Sequence, residues 1–170
     1  MSEVKIGFLH ENEIEVVSMD LESHGIYRNA EYLEDCIRQV EEGKRVIFLA
    51  KTEEKTVGMS HLLLTSRHPE LRSENIPEIN DLIVGPDQRG RGIGAKLLAA
   101  QEEYAKEQGF QSIGLCVGLY SDYGPAQRLY LQRGHIPDGR GVVYDYRMVE
   151  PGEMVRLDDE LTLCLIKCLK

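Results

Sequence analysis

Hydrophobic and polar positions divide the chain into alternating strand-like and helix-like stretches. Val4-Lys5-Ile6-Gly7-Phe8 alternates with a period of two, which predicts a first strand. An acidic, weakly periodic stretch over 11–21 predicts a helix. Asn29 reads as an N-cap. Ala30, Leu33, Ile37 and Val40 then recur at spacings of three and four, and Gly43 stops that second helix. Arg45–Lys51 holds a continuous apolar run, as a buried strand does, and a polar turn at 52–55 joins it to a strand over 56–65, predicting an antiparallel hairpin. The charged stretch 66–76, with Pro69 and then Pro77, reads as a surface loop.

The second half carries a stronger pattern. Glu78–Val84 predicts a strand ended by Gly85-Pro86-Asp87, and a glycine-rich loop follows directly. A helix is predicted over 92–108, with Ile93, Leu97, Leu98, Tyr104 and Ala105 facing inward and Gly109 as its C-cap. A strand over 111–117 comes next. Pro125 suits the first turn of a helix holding Ala126, Leu129 and Tyr130, which Gly134 closes. Two last strands, 141–148 and 161–169, flank an acidic turn. The order β-α-α-β-β-β-α-β-α-β-β predicts an α/β fold, a mixed central sheet of about seven strands with helices on both faces. No linker divides the chain, so residues 1–170 read as a single domain.

Composition narrows the function. The chain is 42% apolar and carries a net charge of −9, which argues against a nucleic-acid partner, since that needs Lys and Arg against phosphates. The N-terminus lacks a signal-peptide core, and no apolar run approaches the ~20 residues of a bilayer span. The expectation is a soluble cytoplasmic protein without membrane contact. Of the four cysteines, Cys164 and Cys168 lie four apart on one face of a strand, too far to bridge, and no His accompanies them at metal-ligand spacing. Cys36, Cys116, Cys164 and Cys168 are therefore expected to be reduced packing residues, and no metal is expected.

The loop Arg89-Gly90-Arg91-Gly92-Ile93-Gly94 lies between a predicted strand and a predicted helix. Its glycines allow close backbone approach. The first helical amides lack intrahelical partners and, with the helix dipole, make an anion site. Arg89 and Arg91 add charge that suits phosphate oxygens. A P-loop would need Lys-Ser/Thr, but Lys96 is followed by Leu97; a dinucleotide fold would need Gly-x-Gly-x-x-Gly and an acid beyond the next strand, and both are missing. The pattern Arg/Gln-x-x-Gly-x-Gly/Ala is met by Arg89, Gly92 and Gly94.

The segment from Leu82 to Leu98 resembles the coenzyme A-binding motif of the GNAT N-acetyltransferases, and Ala126-Gln127-Arg128-Leu129-Tyr130-Leu131-Gln132-Arg133-Gly134 is similar to that family's Ala-x-x-Leu-Tyr-x-x-x-Gly segment. The element order is also that of the GNAT fold, so the resemblance covers nearly the whole chain. It departs at Tyr123, where the family often has Asn, and at His135, where an aromatic is usual. The resemblance implies acetyl-CoA as co-substrate, held by Leu82, Ile83, Val84, Arg89, Gly90, Arg91, Gly92, Ile93, Gly94 and Ala95. It implies that a backbone N–H of Ile83 or Val84 stabilises the oxyanion. It makes Tyr130 the candidate acid for the leaving thiolate and Glu78 the candidate base, through a water. Asp81 is the alternative base. Glu78 and Asp81 differ by three positions, so on a regular strand only one of them faces the cleft. His61 and His135 are further candidate bases, and Arg128 and Arg133 are candidates for the 3′-phosphate. In this fold the acceptor pocket is built from the first helices and the late hairpin, where Tyr27, Tyr32, Tyr144 and Tyr146 are candidates to line it. The acceptor amine, small molecule or peptide, carries no motif. Oligomeric state is open, and a homodimer fits the family. The competing reading is a non-catalytic acyl-CoA sensor on the same fold.

Overall fold

A computed structural model describes residues 3–170. Along the chain it has β1 (Lys5–Phe8), α1 (Ile14–Ser23), α2 (Ala30–Glu41), β2 (Arg45–Lys51), β3 (Thr56–Leu63), α3 (Pro69–Ser73), β4 (Glu78–Val84) and α4 (Ile93–Glu107). These are followed by β5 (Ser112–Gly118), α5 (Gly124–Gln132), β6 (Ile136–Tyr144), β7 (Arg147–Met148) and β8 (Leu161–Cys168). The residues form two compact units, one from the chain up to Leu64 with Ile79–Tyr104, the other from Thr65–Glu78 with Ala105–Lys170.

In the first unit the strands lie in the order β1, β2, β3, β4. The expected hairpin is present, antiparallel from Arg45↔Leu63 onward, and β1 pairs antiparallel with β2. Alternation along β2 explains the layering. Ile47 and Leu49, with Met59 of β3, face a core made by Leu21 of α1 and Leu33, Cys36 and Ile37 of α2. Phe48 points the other way, its ring edge against Phe8 at 5.2 Å and Tyr104 of α4 at 5.8 Å. Gln101 of α4 donates to the His61 carbonyl at 2.9 Å. Helices thus cover both faces of these strands. Each fully buried Leu or Ile contributes about 1.5–3 kcal/mol. Asn29 is the N-cap of α2, its side-chain oxygen accepting from the Tyr32 amide at 2.9 Å.

In the second unit the order is β5, β8, β6, β7, and the register of every pair is antiparallel. Three expectations are corrected here. The predicted strand over 141–148 is two strands, because Asp145 and Tyr146 both adopt left-handed backbone (φ 46° and 63°) and fold β7 back on β6. Among the described residues the strands therefore number eight, where about seven were expected. The stretch 66–76 is not all loop. Pro69 opens α3, and Leu71 is buried at 1% exposure, so one apolar residue suffices to seat a single turn. The cysteines are not all reduced. Cys116 and Cys164 are direct partners across β5 and β8 and form a disulfide, while Cys36 and Cys168 are not disulfide-bonded. Among the described residues no helix is long and apolar enough to cross a membrane.

Close approach of β3 and β4 makes Gly58 a sensitive point. A Cβ there would sit 2.9 Å from the Ile83 carbonyl oxygen, which is backbone and has little room to yield. Gly58→Ala is expected to destabilise the protein by about 1–3 kcal/mol. Urea denaturation measures this, and an unchanged midpoint would contradict the packing described.

Candidate active site

The glycine-rich loop begins where β4 ends. A 3₁₀ turn over Pro86–Gln88 leads into it, and Asp87 holds it to the end of α1 through His24, whose Nδ1 lies 2.9 Å from both carboxylate oxygens. Gly90 and Gly92 both have φ 75°, and a Cβ on either would meet nothing within 4 Å. These glycines are needed for their left-handed backbone rather than for space. The Lys96 amide donates to the Gly92 carbonyl at 3.1 Å, the first helical bond of α4. The amides of Ile93, Gly94 and Ala95 precede it and have no intrahelical acceptor. Arg89 and Arg91 are exposed beside them, with Arg89 Nε donating to the Val84 carbonyl and Arg91 to Gln88. A strand end, a glycine loop and a helix start in succession are the kind of arrangement that can receive an anion.

Strand β4 is irregular. Asp81 has φ 49° in the middle of it, which breaks the two-residue alternation that the parity argument for Glu78 and Asp81 assumes. Arg28, in the α1–α2 connection, grips the Asp81 carboxylate with two bonds, Nε to Oδ2 at 2.7 Å and Nη2 to Oδ1 at 2.5 Å. Tyr32 adds a third bond at 3.3 Å, and its ring lies 5.7 Å from the Arg28 guanidinium carbon. Burial opposes ionisation of Asp81, but the bonds and charge of Arg28 outweigh it and hold the carboxyl below its usual range. Burial, then the Asp81 charge, push the Tyr32 phenol well above its ordinary value.

This pair forms one wall of an open pocket of about 730 Å³, also lined by Glu22, Tyr27, Tyr32 and Asn80. Of the four tyrosines named as candidates to line an acceptor pocket, Tyr27 and Tyr32 line this one. Glu22, Arg28 and Asn80 went unnoticed in the sequence, where they are isolated polar residues without periodicity or motif.

The remaining candidates sit elsewhere. Tyr130, on α5, is 8% exposed, and burial pushes its phenol up to about 12. His135 is fully buried with its ring 6.2 Å from that of Tyr130. Glu78 is 3% exposed, and its Oε2 accepts from the Ser66 hydroxyl at 2.7 Å and the Arg67 amide at 3.2 Å. His61 is buried with Nδ1 2.7 Å from Arg45 Nη1. Tyr123, at the family's Asn position, donates to Asp159 at 2.9 Å, and Tyr144 donates to Asp158 at 3.0 Å. Tyr146 lies against His68 with ring centroids 4.8 Å apart. Arg128 is exposed and Arg133 half-buried.

The sequence model described as the acetyltransferase (GNAT) family matches residues 12–135. An uncharacterised N-acetyltransferase of Bacillus subtilis is 30% identical over 108 residues, 62% of this chain and 68% of that protein. An uncharacterised N-acetyltransferase of Methanocaldococcus jannaschii is 41% identical over 49 residues; that is 29% of this chain, which spans only 22% of the archaeal protein's length. Among solved structures, spermidine N-acetyltransferase from Vibrio cholerae in complex with CoA and spermine has a TM-score of 0.67 at 13% identity, over 98% of this chain and 95% of that one. At that identity the likeness is one of fold.

The Arg28–Asp81 pair has a signed pH dependence. Because the native pKa of Asp81 is depressed, its stabilisation is present above the unfolded value of ~3.9 and is lost as pH falls through the lower native value. Arg28→Gln should cost about 1.5–3 kcal/mol at pH 7 and less as pH drops below ~4. Denaturation curves at several pH values measure the difference; a pH-independent loss would show that the pair is not ionic.

Proposed function

We propose that this chain, which belongs to the acetyltransferase (GNAT) family, moves an acetyl group from acetyl-coenzyme A to a primary amine of a small molecule or peptide. The observation that carries the reading is the cradle at the start of α4. Gly90 and Gly92 are left-handed, the first helical bond of α4 is made by the Lys96 amide, and the preceding amides of Ile93, Gly94 and Ala95 lack intrahelical acceptors, with Arg89 and Arg91 in the same loop. That arrangement suits the pyrophosphate of the donor. Leu82, Ile83 and Val84, on the strand that feeds the loop, offer backbone groups to the pantetheine arm, as in strand addition. An N–H of Ile83 or Val84 is the donor proposed for the oxyanion.

The acceptor is assigned to the pocket beside Arg28 and Asp81. Its Glu22 carboxylate and two tyrosine rings suit an amine. An amine with pKa near ~10 is neutral in only about one molecule in a thousand at pH 7, so it must first lose a proton. Asp81, held ionised by Arg28, is a weak base. Glu78 stays the proposed acceptor of that proton, through a water, because its own oxygen is occupied by Ser66 and Arg67. The neutral nitrogen attacks the thioester carbon, the C–S bond breaks, the sulfur takes a proton from the acid, and the nitrogen gives up its second proton to solvent to become the amide, while solvent reprotonates the acid.

Tyr130 is the proposed donor to that sulfur. A phenol at about 12 is fully protonated at neutral pH. Transfer to a thiolate of pKa ~8.5 is uphill by about 5 kcal/mol, so binding of the donor must lower the phenol or the bond must act mainly by hydrogen bonding. The same burial favours the second reading, an acyl-CoA sensor that binds without turnover.

An amine panel with acetyl-CoA and a free-thiol readout tests the proposal. Thiol release with at least one amine is expected, and saturable binding without release would establish the sensor instead. Tyr130→Phe should lower kcat by ~10²-fold or more, and an unchanged rate would remove Tyr130 from the mechanism. Glu78→Gln keeps an oxygen for Ser66, so a base role predicts a fall in kcat by ~10²-fold or more with the fold intact. An unchanged kcat would assign Glu78 to fastening its loop.

A further inference from the structure

The second unit holds a cluster that acetyl transfer does not use. Cys116 and Cys164 face each other across β5 and β8. His68, immediately before α3, places Nδ1 3.9 Å from Cys164 Sγ. The ligand atoms of His68, Cys116 and Cys164 all lie within 4.8 Å of one another. His68 and Cys164 are buried, at 7% and 4% exposure, and Cys116 is half-buried. The histidine is held in place. Its amide donates to Ser66 Oγ at 3.0 Å, and Ser66 in turn donates to Glu78 at 2.7 Å. Its Nε2 lies 3.9 Å from Glu78 Oε1. That carboxylate favours the proton on Nε2 and leaves the Nδ1 lone pair toward the sulfurs, the orientation that metal-bound histidines have.

We propose that Cys116 and Cys164, when reduced, join His68 to bind a soft divalent cation of the zinc type, and that the disulfide is the metal-free state of the same site. Tetrahedral zinc, with Zn–S ~2.3 Å and Zn–N ~2.0 Å, separates its donor atoms by ~3.5–3.8 Å. His68 and Cys164 already stand near that spacing, and opening the disulfide frees Cys116 to reach it by side-chain rotation. Two thiolates, one neutral imidazole and Zn²⁺ sum to zero charge, which suits a largely buried position. Thiolate ligands select zinc over magnesium or calcium. Three protein ligands leave a fourth position for water. The chemistry balances. A dithiol reductant gives two electrons and two protons to the disulfide and becomes a disulfide itself. The cation then displaces both thiol protons.

The test uses the full chain reduced with a phosphine, which takes oxygen from water as the disulfide becomes two thiols, followed by titration with Co²⁺. Binding of one equivalent is expected, with thiolate-to-cobalt charge transfer and the intense visible bands of a tetrahedral ion, both displaced by Zn²⁺. The oxidised chain should show neither, a comparison that needs no substitution. Cys116→Ser with Cys164→Ser should abolish the bands. His68→Gln should weaken binding by more than the ~10–100-fold that losing an outer partner costs. Cys36→Ser with Cys168→Ser should leave it unchanged. Absence of the bands in the reduced chain, or their persistence in the Cys116 and Cys164 variant, would overturn the proposal.

Discussion

The forked bond between Arg28 and Asp81 sets the course of the strand from which the candidate site is built. Asp81 adopts left-handed backbone inside β4, a conformation that costs a non-glycine residue about 1–3 kcal/mol. Two charge-assisted bonds from Arg28 and one from Tyr32 offset that cost and hold the carboxylate in one place. The consequence extends along the chain in both directions. After Asp81, Leu82 to Val84 lead into the glycine loop. Before α2, the connection that carries Arg28 is pinned to α1, with Ser18 donating to the Arg28 carbonyl at 2.9 Å. The pair joins a helix connection to an irregular strand, and the pocket opens against both.

The loop itself depends on backbone rather than side chains. Gly90 and Gly92 turn it, and the dipole and unpaired amides of α4 supply the positive potential. Arg89 and Arg91 add charge at the rim, where solvent screens them. His24 and Asp87 fasten the entrance to α1. For the proposed donor site, a loop fixed by backbone before any ligand arrives would need little rearrangement to bind an anion.

Glu78 illustrates how position on a strand differs from availability. Its place on β4 makes it a candidate base by resemblance, yet its oxygens serve Ser66, the Arg67 amide and the charge environment of His68. The same contacts that complicate a catalytic role orient His68 toward Cys164. One buried carboxylate therefore links the segment before α3 to the cysteine pair, and that linkage gives the second unit a chemistry of its own.

Local periodicity made much of this legible. The bounds of β4, the Asn29 cap, the hairpin of β2 and β3 and the glycines at 90 and 92 all follow from residues within a few positions of one another, because capping, pleating and turn conformation are short-range physics. The resemblance in the loop and around Tyr130 led to the family for the same reason, since each motif is contiguous. What lay beyond the sequence were pairings between distant residues. Asp81 meets Arg28 across 53 positions, and Cys116 meets Cys164 across 48. No spacing rule along the chain encodes those meetings, because strand register and helix packing decide them. The two-residue turn at Asp145 and Tyr146 escaped for a related reason. Neither residue is a glycine, and the contacts that accompany their left-handed backbone reach outside the turn: the pairing of β6 with β7, the Asp145 amide donating to the Glu160 carbonyl at 3.2 Å, and the Tyr146 ring against His68. The sequence by itself determined most of the elements, the glycine loop and the family; the tertiary structure alone decided which carboxylate is paired, which cysteines meet and where the pocket lies, because each of these is a contact between parts of the chain that only folding brings together.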